Sequence, residues 1–237
     1  MKVSVSSILS VALLVTPSLA APAPAAAGFP ITELESVDLA PETSAITKRQ
    51  YNGNTYNQLT DGTACRPITV IYARGTTQQG NVGDPQAVGP LFFNQLASRV
   101  GGTSQLAIQG VTYPANVAGF LQGGDPAGST TMTNLISQAA SRCPNTKIVL
   151  SGYSQGAQLV HNAAQRTSAA NAARVAAVVV FGDPKRGQSF GSIASSKILT
   201  ICHDGDNICE GGIIITPAHT NYQQDAPAAA QFVAARV

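Results

Sequence analysis

One short stretch near the middle of the chain joins an apolar strand pattern to a helix pattern through a glycine-flanked serine. Residues 147–151 (KIVLS) have the composition of a strand that is buried on both faces. They run directly into residues 152–156 (GYSQG), and residues 157–167 then have helical composition. A G-x-S-x-G pattern between a strand and a helix is typical of a strained turn that holds a serine hydroxyl above the edge of a parallel sheet. The alternative is a glycine-rich turn in which Ser154 is a bystander.

Similar apolar runs recur along the chain and alternate with helical patterns. Four further strands are predicted, at residues 68–73, 106–113, 175–181 and 198–202. Three further helices are predicted, at residues 85–100, 130–143 and 227–237, the first of them capped by Asp84. Strands that alternate with helices form right-handed βαβ units. We therefore expect an α/β three-layer α/β/α sandwich with a mostly parallel central sheet, similar to a lidless α/β-hydrolase.

The first 49 residues have the organisation of a processed leader. Met1-Lys2 is followed by an apolar stretch at residues 8–15, too short to span a bilayer, and by small residues up to Ala20. We predict a signal peptide at residues 1–20 and a pro-segment at residues 21–49, with secretion of the chain. The alternative for the second segment is a disordered linker that stays attached. Residues 50–237 are then long enough for a single catalytic domain.

The charges of residues 50–237 form no cluster. Eleven Lys and Arg and eight Asp and Glu are scattered singly along this part of the chain. No basic face for nucleic acid is indicated, and no further apolar run approaches membrane-spanning length. We therefore expect no nucleic-acid partner and no membrane insertion.

Four cysteines follow the predicted leader: Cys65, Cys143, Cys202 and Cys209. In a secreted chain they are expected to form two disulfides. Three pairings are possible, and the spacing favours a short Cys202–Cys209 loop with Cys65–Cys143 as the long one. The alternative is a zinc site built from Cys202, His203, Cys209 and His219, which the export signal disfavours.

A serine nucleophile needs an imidazole to take its proton and an acid to orient that imidazole. His161 lies about 10 Å along the helix that follows Ser154, beyond hydrogen-bond reach. His203 precedes the candidate acid, against the Ser, Asp, His order of hydrolases with this turn. His219 follows the acid in a loop, and we predict it as the base.

The candidate acids are Asp183, Asp204 and Asp206, because each follows a predicted strand. Composition does not choose among them. Asp206 is favoured because a Cys202–Cys209 disulfide would hold its loop in place, and a catalytic acid needs a closely fixed position.

Four motifs together resemble the cutinase family in order and spacing: residues 73–76 (ARGT), 152–156 (GYSQG), 205–209 (GDNIC) and 217–219 (PAH). The resemblance covers nearly all of residues 65–237. It implies Ser154 as nucleophile, Asp206 as acid and His219 as base. It also implies the two disulfide pairings given above. An oxyanion hole is implied at the backbone N–H groups of Thr76 and Gln155, with the Thr76 hydroxyl as an extra donor.

The sequence departs from the family's usual pattern at two places. Thr76 stands where the best-known members carry serine, which keeps the hydroxyl but adds a methyl group that restricts its rotamer. Ala218 separates Pro217 from His219, whereas the family more often has proline directly before the histidine. The loop of the base is therefore expected to differ locally.

Substrate contacts are expected from aliphatic side chains near the base. Residues 213–215 (III) lie between Cys209 and His219, although a buried edge segment is the alternative. The resemblance places Val117, Ile213 and Ile215, together with Phe120, along an acyl groove. It implies a monomeric, secreted serine esterase that needs no metal or cofactor and acts on cutin, other aliphatic polyesters and short-chain esters. The alternatives are an acetylxylan esterase, disfavoured because the chain has no tryptophan, and a catalytically silent secreted binding protein.

Overall fold

Five parallel strands form the central sheet of the computed structural model, which describes residues 51–237. The strands are β1 (Ile68–Ala73), β2 (Leu106–Gly110), β3 (Lys147–Tyr153), β4 (Val175–Phe181) and β5 (Ile198–Ile201). Their order in the sheet is β2-β1-β3-β4-β5, and every neighbouring pair runs parallel. In this register Ala73 at the end of β1 lies beside Gly152 near the end of β3. The carboxyl ends of the central strands therefore meet at one edge.

Helices cover both faces of the sheet. They are α1 (Val88–Val100), α2 (Val117–Leu121), α3 (Pro126–Arg142), α4 (Gln155–Arg166), α5 (Ala169–Arg174) and α6 (Ala226–Ala234). Residues of α3, α4 and α5 pack with one set of strand side chains, including Leu150 and Val178. Residues of α1 and α6 pack with the alternate set, including Val149 and Val179. Because successive strand residues point to opposite faces, the expected three-layer α/β/α sandwich is confirmed.

Several helix boundaries differ from the sequence prediction. Helix α1 begins at Val88, because the chain turns between Asp84 and Ala87, and Asp84 is not its cap. Helix α3 begins at Pro126, four residues before the predicted start, where the Asp125 carboxylate accepts from the N–H of Gly128. This Asp-Pro pair is a helix-start signal that the prediction missed. The short helices α2 and α5 were also not predicted.

The predicted signal peptide and pro-segment, residues 1–49, lie outside the described residues. Within residues 51–237, no helix is long and apolar enough to cross a membrane. Two disulfides are present, Cys65–Cys143 and Cys202–Cys209, which are the pairings that the resemblance implied. The first disulfide joins residues 78 positions apart in the sequence, and the second joins residues 7 positions apart.

Candidate active site

Ser154 occupies a strained turn between β3 and α4. Its backbone has φ 57° and ψ −121°, a conformation that L-residues rarely adopt. The flanking glycines make this turn possible. A Cβ atom on Gly156 would overlap the carbonyl oxygen of Ala73, and one on Gly152 would overlap that of Gly156. The turn therefore needs both glycines and holds the Ser154 side chain at the carboxyl edge of the sheet.

A hydrogen-bonded series joins Ser154, His219 and Asp206. The Oγ of Ser154 lies 3.0 Å from Nε2 of His219. The other ring nitrogen, Nδ1, lies 2.9 Å from Oδ2 and 3.0 Å from Oδ1 of Asp206. The imidazole and the carboxylate are buried, with 2% and 0% of their residue surfaces exposed. The structure thus brings together the three residues predicted as nucleophile, base and acid.

The Asp206 carboxylate is stabilised in its charged form by three donors. Burial alone would raise its pKa, but hydrogen bonds from the Tyr222 hydroxyl and from His219, and one from the N–H of Ile208, outweigh burial. The pKa of Asp206 therefore lies below its ordinary value. A carboxylate that stays ionised can fix the orientation of His219 through Nδ1–H.

Tyr153 packs against the face of the His219 imidazole. Its ring stacks on that of His219, with centroids 5.2 Å apart and planes 27° apart. Its hydroxyl donates a 2.7 Å hydrogen bond to the His219 carbonyl oxygen. Burial, followed by the nearby charge of Asp206, raises the pKa of Tyr153 to about 12, so the phenol remains a donor at neutral pH. The sequence prediction missed Tyr153 and Tyr222 as neighbours of His219 and Asp206.

The side chain of Gln155 holds the Thr76 hydroxyl in place. Its Nε2 donates to Oγ1 of Thr76 and to the carbonyl oxygen of Asn116, both at 2.8 Å. Because Oγ1 of Thr76 accepts this bond, its own hydrogen is free to point elsewhere. The next residue, Thr77, has φ 65° and donates its N–H to Ala115 at 2.7 Å. These contacts order the loop after β1 beside Ser154.

Ser154 lies in a cleft of about 600 Å³ between helix α2 and the loop of residues 212–216. Apolar side chains from both elements line it: Val117, Phe120, Leu121, Ile213 and Ile215. The three isoleucines of the loop are 59–68% exposed, so the alternative of a buried edge segment is wrong. Leu121 was not predicted, because helix α2 itself was missed.

The other histidines, aspartates and cysteines considered as site residues do not join this hydrogen-bonded series. His161 is buried on α4 and pairs with Asp183, Nε2 to Oδ2 2.8 Å, so neither contacts Ser154. Asp204 is exposed. The sulfurs of Cys202 and Cys209 are bonded to each other and are not available as thiolate zinc ligands. Asp206 is thus the only one of the three candidate acids that contacts His219 among the described residues.

Comparison with known proteins shows which family the chain belongs to. The sequence model of the Cutinase family matches residues 64–237. A cutinase of Botryotinia fuckeliana is 51% identical over 170 residues, which cover 72% of this chain and 83% of the relative. The chain belongs to the cutinase family. The prediction that the chain is a carboxylic ester hydrolase is therefore confirmed.

Solved structures agree with this membership. Trichoderma reesei cutinase in complex with a C11Y4 phosphonate inhibitor has a TM-score of 0.71 and 45% identity, covering 77% of this cutinase-family chain and 79% of that chain. The catalytic core domain of acetyl xylan esterase from Trichoderma reesei has a TM-score of 0.56 and 23% identity, and the match covers 73% of this chain and 100% of that chain. The second likeness shows a shared fold alone.

Proposed function

We propose that Ser154, His219 and Asp206 are the catalytic triad of a secreted esterase that hydrolyses cutin, other aliphatic polyesters and short-chain esters. The observation that carries this proposal is the hydrogen-bonded series from Ser154 through His219 to Asp206 at the wall of an apolar cleft. An imidazole held between a hydroxyl and a carboxylate is the arrangement that nucleophilic acyl transfer requires.

The reaction begins when His219 Nε2 takes the proton of Ser154 as Oγ attacks the ester carbonyl carbon. The backbone N–H groups of Thr76 and Gln155 and the Thr76 hydroxyl then donate to the developing oxyanion. Such a donor contributes about 3–4 kcal/mol of transition-state stabilisation. His219 protonates the departing alcohol. Water, activated by the same imidazole, then hydrolyses the acyl-enzyme and regenerates Ser154.

The exposed aliphatic rim supports an apolar acyl substrate. Val117 and Leu121 on one side and Ile213 and Ile215 on the other remain 57–68% exposed. Clustered exposed aliphatic side chains around a cleft are typical of a binding surface. A saccharide-binding surface is expected to offer exposed tryptophan for stacking, and the chain contains no tryptophan. A cutin-like aliphatic ester is favoured over acetylated xylan.

A fluorophosphonate probe and an ester series test this function. We expect the probe to label Ser154 in the wild type, and Ser154→Ala to lose both labelling and hydrolysis. Hydrolysis at the wild-type rate in Ser154→Ala would contradict the triad. On p-nitrophenyl esters, kcat/KM should be highest near butyrate to hexanoate, because each buried methylene adds about 0.8 kcal/mol until the cleft ends.

Polymeric substrates separate the remaining alternatives. We expect release of acids from cutin or a synthetic aliphatic polyester and little release of acetate from acetylated xylan. A strict preference for acetate, with release from xylan, would favour the acetylxylan esterase. A folded wild-type protein that hydrolyses none of these esters would favour the silent binding protein.

A further inference from the structure

His203 lies two residues after β5, outside the triad, with both ring nitrogens facing oxygen atoms. Nδ1 is 2.9 Å from the carbonyl oxygen of Ala218, and Nε2 is 2.7 Å from Oδ2 of Asp225. A carbonyl and a carboxylate accept hydrogen bonds but cannot donate them. A neutral imidazole carries one N–H and would point a lone pair at one of these oxygens. Only the doubly protonated ring satisfies both contacts.

The same ring lies against the residues that hold the triad. It stacks on Tyr222, with centroids 4.1 Å apart and planes 14° apart. The Tyr222 hydroxyl accepts from the N–H of His203 at 3.0 Å and donates to Asp206 at 2.6 Å. Ala218, which accepts from the ring, directly precedes His219. His203 therefore contacts both the support of the acid and the loop of the base.

We propose that His203, as an imidazolium, is a positioning residue for esterase catalysis. It holds the Ala218 carbonyl and the Tyr222 ring so that His219 and Asp206 keep their geometry with Ser154. The proposal rests on the triad proposed above. Loss of the ring proton removes one of the two hydrogen bonds and loosens either the loop of the base or the start of α6.

The groups around the ring favour its charged form. Asp225 contacts Nε2 directly, and the Asp206 carboxylate lies one hydroxyl group away, beyond Tyr222. Asp204, the next residue in the chain, is exposed. Burial lowers the pKa of His203, but the Ala218 carbonyl, the Asp225 carboxylate and the Asn221 side chain outweigh it, so the pKa lies above its ordinary value. The positioning contact is thus complete below pH 6.5 and is lost as pH rises through this raised pKa.

A set of four variants tests the proposal. His203→Phe keeps a ring against Tyr222 but has no donors. His203→Arg keeps the charge, the planar stacking and several donors. Asp225→Asn removes the partner charge and leaves the ring intact. Asp204→Asn removes a neighbouring exposed charge and is the matched control. For each, kcat and KM on p-nitrophenyl butyrate are measured from about pH 5 to about pH 10.

We expect His203→Phe to lower kcat about tenfold at neutral pH, with KM little changed, because misplacement of the triad affects the chemical step. His203→Arg should restore most of kcat and keep it at alkaline pH. Asp225→Asn should move the alkaline loss of activity to lower pH, while Asp204→Asn should match the wild type. Equal profiles for wild type, His203→Arg and Asp225→Asn would overturn the proposal, as would an unchanged kcat in His203→Phe.

Nitrogen NMR of the histidine rings in the wild-type protein gives a reading that does not depend on a variant's folding. The titration of the His203 ring nitrogens should have its midpoint above the ordinary value of 6.5. A midpoint at or below that value would overturn the proposal. The Ser154→Ala variant separates this outcome from failure of the proposed triad. If Ser154→Ala is inactive while the His203 results are negative, only the positioning role fails. If Ser154→Ala remains active, the triad itself fails.

Discussion

The hydroxyl of Tyr222 donates a 2.6 Å hydrogen bond to Oδ2 of Asp206. The same oxygen lies 2.9 Å from Nδ1 of His219, so the phenol and the imidazole share one acceptor. Both donors favour the ionised carboxylate in a site where burial opposes it. Tyr222 is therefore expected to affect both the orientation of the base and the charge of the acid.

Tyr222→Phe should lower kcat on p-nitrophenyl butyrate and make the protein less stable in acid. A hydrogen bond to a charged group contributes about 1.5–3 kcal/mol. Because the pKa of Asp206 is lowered in the folded state, its contribution to stability is complete above the ordinary value of 3.8 and is lost as pH falls through the lowered pKa. The variant should unfold at higher pH than the wild type in an acid titration followed by circular dichroism.

Tyr72→Phe is the matched control for this loss of a phenol. The Tyr72 hydroxyl is buried and has no hydrogen-bond partner among the described residues. Its removal should leave kcat unchanged and should not lower the melting temperature, because no bond is broken. Equal loss of activity in both variants would mean that the effect of Tyr222→Phe does not come from its hydrogen bond to Asp206.

Thr76→Val should lower kcat about 10²–10³-fold with little change in KM. The substitution keeps the shape of the side chain but removes the hydroxyl that Gln155 orients, and a donor to the oxyanion acts mainly in the transition state. Thr76→Ser keeps the hydroxyl and should retain most of the activity. Single-turnover kinetics with p-nitrophenyl butyrate would measure the acylation step directly. If Thr76→Val acylates as fast as Thr76→Ser, the hydroxyl is not an oxyanion donor.

The two disulfides should affect different properties of the protein. Cys202–Cys209 spans only 7 positions and carries Asp206 within its loop, so replacing both cysteines with serine should reduce turnover before it greatly lowers the melting temperature. Cys65–Cys143 spans 78 positions, and its loss should lower the free energy of unfolding by about 3–5 kcal/mol while kcat of the folded enzyme stays near wild type. Parallel denaturant titrations and turnover assays compare the two. An undiminished kcat in the Cys202, Cys209 double variant would weaken the structural role assigned to that loop.

Ile213→Asp should depress hydrolysis of p-nitrophenyl butyrate far more than that of the acetate ester. Ile213 lines the cleft beside Ser154, and a carboxylate there disfavours the buried methylenes of the longer acyl chain. Ile214, its equally exposed neighbour, does not line the cleft, so Ile214→Asp is the matched control. The ratio of the two kcat/KM values is the measurement. Equal losses on both esters in Ile213→Asp would mean that this residue supports the loop of His219 instead of the acyl chain.

The mature protein should begin at Gln50. The dibasic Lys48-Arg49 closes the predicted pro-segment, and a processing protease would cut after it. Mass spectrometry of the secreted protein locates its N-terminus, and Lys48→Ala with Arg49→Ala should block the second cut. A wild-type N-terminus at Ala21 would contradict the pro-segment and favour the attached linker.

Much of the fold could be predicted from local sequence patterns. The strand before Ser154 and the glycines around it could be predicted on physical grounds. A buried apolar strand must pair in a sheet, and the strained turn excludes Cβ atoms on both sides of the serine. The strand at Val175–Phe181 was predicted with its observed bounds for the same reason. Short helices such as α2 were missed, because a single turn leaves too little periodicity to recognise.

Long-range contacts decided what these local patterns left open. Asp183, Asp204 and Asp206 all follow strands, but only folding pairs Asp183 with His161, exposes Asp204 and buries Asp206 against His219. The contact of His203 with Asp225 joins residues 22 positions apart, and no spacing rule connects them. A side chain's neighbours along the chain constrain its backbone. Its burial and its hydrogen-bond partners, and hence its chemical role, depend on which distant segments pack against it.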